Sequence, residues 1–169
     1  MASVIKCDTL KSTTGNTAIT ISESGLISQP TKPVFQAWAP GITLTTSFVE
    51  ISAWTEVYIN IGNHFNSTTG RFTAPVDGTY QFGVASIANN TATVYRFRPY
   101  LDGASLNAYE YRIQTSTGVF GTNGEMCWYA TMTSGQVMSI YAKSDNGTNV
   151  YDGSSVPVRY TYFRGQLVA

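Results

Sequence analysis

The sequence predicts an all-β protein, a sandwich or jelly roll, and three observations carry that prediction. Thr, Ser, Tyr, Gly and Asn are plentiful, while aromatics make up 13% and charged residues only 12% of the 169 positions, a mixture that favours strands and turns over helices. Apolar residues alternate with polar ones in short runs, and no segment keeps a helical period over three turns. Asp-Gly or Asn-Gly pairs separate those runs at 77–78, 102–103, 123–124, 146–147 and 152–153, and such pairs supply positive φ for tight antiparallel turns. The length suits one principal domain with a short appendage, large enough to bury a core without staples.

Along the chain, residues 1–30 stand apart. They are rich in Thr and Ser, alternate at Ile19 and Ile21, and hold only two short apolar clusters. Alone they cannot bury enough to fold, so this segment is either disordered or completed by other chains. Pro30 and Pro33 mark the boundary to a head spanning 31–169, since each lacks an amide donor and restricts its predecessor. Strands are then expected over Val34 to Ala39, Glu56 to Ile61, and Thr79 to Ile87, where Tyr80, Phe82 and Val84 share one face. Further strands are expected over Thr93 to Leu101, Ser105 to Ile113, Glu125 to Met132, Gln136 to Ala142 and Val158 to Val168. The clearest hairpin turns at Asp102-Gly103, with Tyr95, Phe97 and Leu101 facing the core and Arg96 and Arg98 facing out.

Several function classes are disfavoured. Ten basic and ten acidic residues cancel, leaving no long-range field to gather nucleic acid or anionic lipid. Nothing approaches the ~20 apolar residues of a membrane span, and the first residues lack an apolar run after a basic start, so neither membrane insertion nor a secretory signal is expected. Cys7 and Cys127 are far apart and show no metal spacing, so two free thiols are expected. Hydrolase elbow, phosphate loop and zinc-protease motifs are all missing. The single histidine, His64, beside Phe65, reads as a hydrogen-bonding strand-end residue, and no catalytic residue is expected. Asn-x-Ser/Thr sequons at Asn66, Asn89 and Asn146 read as Thr-rich turns.

The order Trp54, Asn60, Phe65, Phe72, Gly78, Tyr80, Phe82 has the spacing aromatic-x5-Asn-x4-aromatic, then Phe-x5-Gly-x-Tyr-x-Phe. It resembles the signature of the C1q/tumour necrosis factor-like globular head. Trp54 stands where the family usually has Phe, and Val84 where it has Phe or Tyr. The ending Phe163-Arg164-Gly165-Gln166-Leu167 resembles the family's closing aromatic-x-Gly-x-Leu strand. The resemblance covers about 33–169. It implies a jelly roll of about ten strands assembled as a homotrimer, in which some of the eleven tyrosines serve an interface. Trp54, Phe65, Phe72, Tyr80, Phe82, Tyr162 and Phe163 are the expected core or trimer aromatics.

The segment 1–30 is similar to the short collar of bacteriophage tail-fibre and virion appendage proteins, and no Gly-X-Y repeat precedes the head. These resemblances imply a trimeric phage fibre or appendage protein, made in the host cytoplasm and released on the virion by lysis. Residues 1–30 would dock to other virion proteins, while the head tip binds a host-surface component, a glycan or protein. The loop from Lys143 to Pro157 gathers Asp145, Asn146, Asn149, Tyr151 and Asp152, side chains suited to sugar hydroxyls and ring faces. Some relatives bind calcium near the trimer apex, but these oxygen ligands lack the spacing of a known calcium loop. No cofactor or metal is therefore expected. The alternatives are a capsid, neck or tail decoration or joining protein that binds no receptor, a polysaccharide depolymerase, and a non-viral complement-like or cytokine-like ligand.

Overall fold

In the N-terminal segment, alternation and turn residues produce a three-stranded meander of β1 (Thr9–Lys11), β2 (Thr17–Ile21) and β3 (Ile27–Ser28). The structure, a computed structural model, describes residues 7–39, 42–52, 54–87, 94–115, 124–146, 149–151, 154–155 and 158–169. It falls into two compact units, Met1–Lys32 and Pro33–Ala169.

Within the second unit the strands are β4 (Val34–Trp38), β5 (Ile42–Leu44), β6 (Val49–Glu50), β7 (Glu56–Ile61), β8 (Phe65–Asn66), β9 (Arg71–Thr73) and β10 (Gly78–Ser86). There follow β11 (Val94–Leu101), β12 (Ala104–Ser105), β13 (Tyr111–Gln114), β14 (Gly124–Met132) and β15 (Val137–Ser144). The last are β16 (Asn149–Tyr151), β17 (Ser154–Ser155), β18 (Val158–Arg159) and β19 (Tyr162–Leu167). Two antiparallel sheets face each other. One has the order β14-β10-β19-β4-β7, and the other runs β12-β11-β15-β9-β8 with β13 beside β11 and β6 beside β15. Chain neighbours β10 and β11 lie in different sheets, as do β14 and β15, so the chain crosses between layers as a jelly roll requires.

Aromatic rings fill the space between the sheets. Phe35 stacks on Phe65 at 4.5 Å between centroids and meets Phe163 edge-on at 4.9 Å, while Phe72 meets Phe82 edge-on at 5.6 Å. Rings at these separations and angles gain quadrupole attraction beyond burial. Gly165 on β19 makes room for this cluster: a methyl group there would stand 2.5 Å from Phe35 Cε1 and 2.6 Å from Phe82 Cδ1.

The spaced signature residues each have a structural task. Asn60 on β7 donates through Nδ2 to the carbonyl of Phe65 at 2.8 Å and accepts the Phe65 amide on Oδ1 at 3.2 Å. Trp54 donates Nε1–H to the Ile51 carbonyl at 2.8 Å, and Tyr80 donates its hydroxyl to the Val76 carbonyl at 2.8 Å. Gly70 has φ +70, and a side chain there would collide with the Trp54 indole. The expected Asp102-Gly103 hairpin is present with φ 49 and 77, the paired positive values of a type I′ turn. Asp102 also accepts the Val137 amide at 2.8 Å and the Gln136 side-chain amide at 2.9 Å, tying the turn to β15.

Some expectations require correction. The strand foreseen over Ser105 to Ile113 is two pieces, β12 and β13, both paired with β11. The residues between them turn back through a Tyr109 amide to Leu106 carbonyl bond at 2.9 Å, and Arg98 holds that excursion by side-chain bonds to Ser105, Asn107 and Glu110. The run Val158 to Val168 is likewise broken into β18 and β19. Asp77-Gly78 is no hairpin turn, because Gly78 opens β10 and Asp77 instead accepts the Ser134 amide at 2.7 Å. Gly153, residue 123 and Gly147 lie outside the described residues.

Candidate recognition surfaces

The jelly roll leaves two outward sheet faces and a set of end loops from which a site can be built. Of the seven expected core or trimer aromatics, Trp54, Phe65, Phe72, Tyr80, Phe82 and Phe163 are buried within one chain. Their burial is complete without a neighbour, so they form the core and leave any interface to other side chains. Tyr162 alone of the seven points outward, half-buried beside Trp38, its register partner on β4.

On the five-stranded sheet, alternate positions of β4, β10, β14 and β19 point away from the core. Gln166 donates Nε2–H to Gln81 Oε1 at 3.0 Å, and Gln81 donates in turn to the Tyr129 hydroxyl at 3.3 Å. In the next row Arg164 reaches over Gly83, whose missing side chain leaves the space, to pair with Glu125 at 2.6 Å. Cys127 lies exposed beside this pair, with Arg164 Nη2 at 3.8 Å from its sulfur. Burial, reinforced by the Glu125 charge, pushes the Cys127 thiol above its ordinary range, so it is not an activated nucleophile. Cys7 is also a free thiol.

At the edge of the same sheet, a β-bulge opposite Gln36 and Ala37 turns Tyr58 outward on β7. Tyr58 is 79% exposed and meets Trp38 edge-on at 5.4 Å. With Gln36, Glu56 and Val57 these rings border an open notch. A hollow of about 100 Å³ lies between Gln36, Ile59, Gln81, Arg164 and Gln166, well below the roughly 300–1,000 Å³ of small-molecule pockets.

The outward face of the other sheet is occupied by charge. Arg96 grips Asp145 with two bonds, Nε to Oδ1 at 3.2 Å and Nη2 to Oδ2 at 2.8 Å, and reaches Glu110 at 3.1 Å. Arg98 pairs with the other oxygen of Glu110 at 2.5 Å, and its guanidinium lies 4.5 Å from the Phe48 ring centre. Lys143 adds a pair to Asp145 at 3.5 Å. The bonds from Arg96 hold Asp145 below the ordinary carboxylate range. Burial pushes Glu110 upward, but the bonds from Arg98 and Arg96 outweigh it and leave this carboxyl lowered too. Two carboxylates sharing an arginine in this way are both kept ionised, the opposite of the split pair that glycoside hydrolysis requires. Farther along, Arg71 pairs with Glu50 at 2.7 Å, and Tyr100 stacks on Tyr141 at 3.9 Å.

The loop residues singled out from the sequence are dispersed. Asp145 follows β15 directly and lies inside the charge network, where Arg96 and Lys143 already engage it. Asn146 follows, its amide donating to Ser144 Oγ at 3.4 Å. Asn149 and Tyr151 belong to a strand, β16, paired with β5 through Asn149↔Leu44 and Tyr151↔Ile42, so the stretch after Lys143 is not one open connector. Asp152 lies outside the described residues, as does Asn89. Asn66 uses its side-chain oxygen to accept the Thr68 and Thr69 amides, the turn role expected of it. His64 is half-buried, and its carbonyl accepts the Thr73 amide. Among the described residues no three His, Cys, Asp or Glu side chains are grouped as metal ligands. No helix is long and apolar enough to cross a membrane among those residues.

The charge network was not foreseen. Arg96 and Arg98 were read as solvent-facing, but their partners Glu110 and Asp145 are 12 to 49 residues away in sequence. Only the sheet register, which sets Arg96 opposite Lys143 and Arg112, brings them together.

Comparison with known proteins agrees with this architecture. The C1q domain family model matches residues 41–120. No curated protein matches the sequence. Among solved structures, the globular domain of zebrafish complement 1qA protein superposes with a TM-score of 0.60 at 18% identity, covering 82% of this chain and 98% of that one. The head therefore has an all-β, C1q/tumour necrosis factor-like jelly-roll fold.

Proposed function

We propose that this C1q-like head is the tip of a homotrimeric bacteriophage fibre or virion appendage, and that it binds a glycan on the host surface without catalysis or cofactor. One observation carries the assembly step: the outward face of the five-stranded sheet holds no continuous charge and exposes Tyr58 and Tyr129, the latter at 57%. Tyrosine suits an interface because the ring is buried while the hydroxyl keeps a polar partner, and the Gln166–Gln81–Tyr129 chain offers such partners. The virion placement is supported by the N-terminal unit, which forms strands where a Gly-X-Y stalk would stand in complement-type relatives. On this reading the protein is made in the host cytoplasm, docks to other virion proteins through residues 1–30, and leaves the cell by lysis. A single shallow sugar site of ~mM affinity corresponds to about −4 kcal/mol, and joining three raises avidity by roughly 10²–10⁴ where geometry allows.

A second reading, a decoration or joining protein without a receptor, is favoured by one feature: Asp145 is already engaged by Arg96 and Lys143. A glycan array probed with the labelled intact chain and with Asn149→Ala and Tyr151→Ala variants separates the two. Binding lost at unchanged solution mass supports the receptor reading. An array with no bound glycan at saturating protein leaves the joining role.

A further inference from the structure

The register of the charged sheet places three cations side by side. Arg112 on β13 stands opposite Arg96 on β11, and Arg96 stands opposite Lys143 on β15. Their chain neighbours Ile113, Tyr95, Phe97 and Ala142 are buried, so all three share the outward face. Like charges directly opposite one another destabilise a sheet. The two carboxylates that relieve the row come from outside it, Glu110 immediately before β13 and Asp145 immediately after β15. They are shared among four cations, since Arg98 also pairs with Glu110. Among the described residues, two positive charges of this cluster therefore have no carboxylate of their own.

The surplus is concentrated at one end of the row. Arg96 commits Nε, Nη1 and Nη2 to Asp145 and Glu110. Arg98 is engaged by Ser105, Asn107 and Glu110, and both Arg98 and Lys143 lie against the Phe48 ring. The Arg112 side chain is instead 57% exposed, and its approach to Glu110 is 4.0 Å, too long for a hydrogen bond. On the same face of β13, roughly 6.6 Å farther along the strand, Gln114 is exposed as well, with an amide that both donates and accepts.

We infer that Arg112 and Gln114 form a subsite for an acidic saccharide, in which Arg112 takes the carboxylate or sulfate and Gln114 an adjoining hydroxyl. This rests on the glycan reading proposed above and names the class of that glycan. A guanidinium fork matches a planar oxyanion with two parallel bonds. The incoming anion offsets the surplus charge and eases the repulsion along the row, so binding relieves a cost that the sheet otherwise carries. It also displaces no hydrogen bond between the Arg112 side chain and a described residue, whereas an anion seated on Arg96 or Arg98 would have to break one.

The test is an array of glycans, each presented neutral, with uronic carboxylates and sulfated, probed with the labelled intact chain and with Arg112→Gln and Arg112→Lys variants. Preferential binding of an acidic form is expected, weakening with added salt. It should fall about tenfold in Arg112→Gln, as the loss of one charge-assisted contact implies, and less in Arg112→Lys, at unchanged solution mass and unfolding midpoint. The carboxylated and sulfated spots tell which oxyanion is taken. Acidic glycans bound equally by Arg112→Gln, or neutral forms bound as tightly as acidic ones, overturn the inference and leave the glycan reading standing. An array with no bound glycan at saturating protein overturns both.

Discussion

Replacing Asn60 by alanine tests whether the signature spacing exists to clamp backbone rather than to present a surface. The Asn60 amide satisfies both the amide and the carbonyl of Phe65, at 3.2 and 2.8 Å, and Phe65 is 3% exposed. Removing the side chain deletes two hydrogen bonds, each worth about 0.5–1.5 kcal/mol net, and strands groups whose desolvation costs about 1–3 kcal/mol when unmatched. Partial access of water to the cleared site lowers the total, so a loss of about 2–4 kcal/mol is expected. For a chain of this length each kcal/mol moves Tm by roughly 2–4 °C. The assay is urea unfolding at fixed protein concentration, since oligomerisation makes apparent stability concentration-dependent. The midpoint should fall at unchanged slope. Asn60→Asp, which keeps the acceptor but sets a carboxylate against the Phe65 carbonyl, should do no better than alanine. A loss below about 0.5 kcal/mol for Asn60→Ala would refute the clamp and return the spacing to coincidence.

Four further substitutions have outcomes set by the geometry. Phe163→Ala empties a ring that contacts Phe35, Phe65 and Trp128 and should cost about 3–5 kcal/mol, while Gly165→Val should cost about 1–3 kcal/mol or more by overpacking against Phe35 and Phe82; calorimetry reads both. Glu110 and Asp145 have folded-state pKa values lowered from the ordinary 4.5 and 3.8. Their stabilisation is full above those ordinary values and disappears as pH falls through the lowered ones, so Glu110→Gln should flatten the acid limb of a stability–pH curve while barely changing its slope above pH 6. Tyr129→Asp places a charge on the outward face of the five-stranded sheet, and light scattering should show a trimer-to-monomer shift with an unchanged far-ultraviolet spectrum; an intact trimer would move the interface elsewhere.

The fold was legible because its information is local and periodic. Alternation placed β4, β7, β10, β11, β14 and β15 within a few residues, and Asp102-Gly103 specified its own turn through φ. Local signals failed where tertiary partners decide. Nothing within Ser105 to Ile113 announces the break after Ser105, because the excursion is held by Arg98 from a different strand. The aromatics named from spacing were found in the core, except Tyr162, because spacing identifies a strand face without telling which side of the sheet is covered. The candidate loop was the least legible part. Composition marked Asp145 as free to meet sugar, whereas Arg96 and Lys143, on β11 and β15, already hold it.

The two outward faces now suggest a division of labour that composition alone hides. On the sheet containing β11 and β15, the partly exposed Arg96, Arg98, Glu110 and Asp145 are joined in ion pairs, and Phe48 lies beneath both Arg98 and Lys143. A partner docking there would have to compete with bonds already made, and breaking one member of such a network leaves another charge unpaired. On the β10 and β14 face, Tyr129 and Cys127 remain exposed while the Gln81–Gln166 pair leaves amide groups able to bond again. Association through that second face would disturb fewer internal bonds and cover more ring surface, and would leave the charged face accessible. In the proposed trimer this would leave the charged face outside, as multivalent attachment requires.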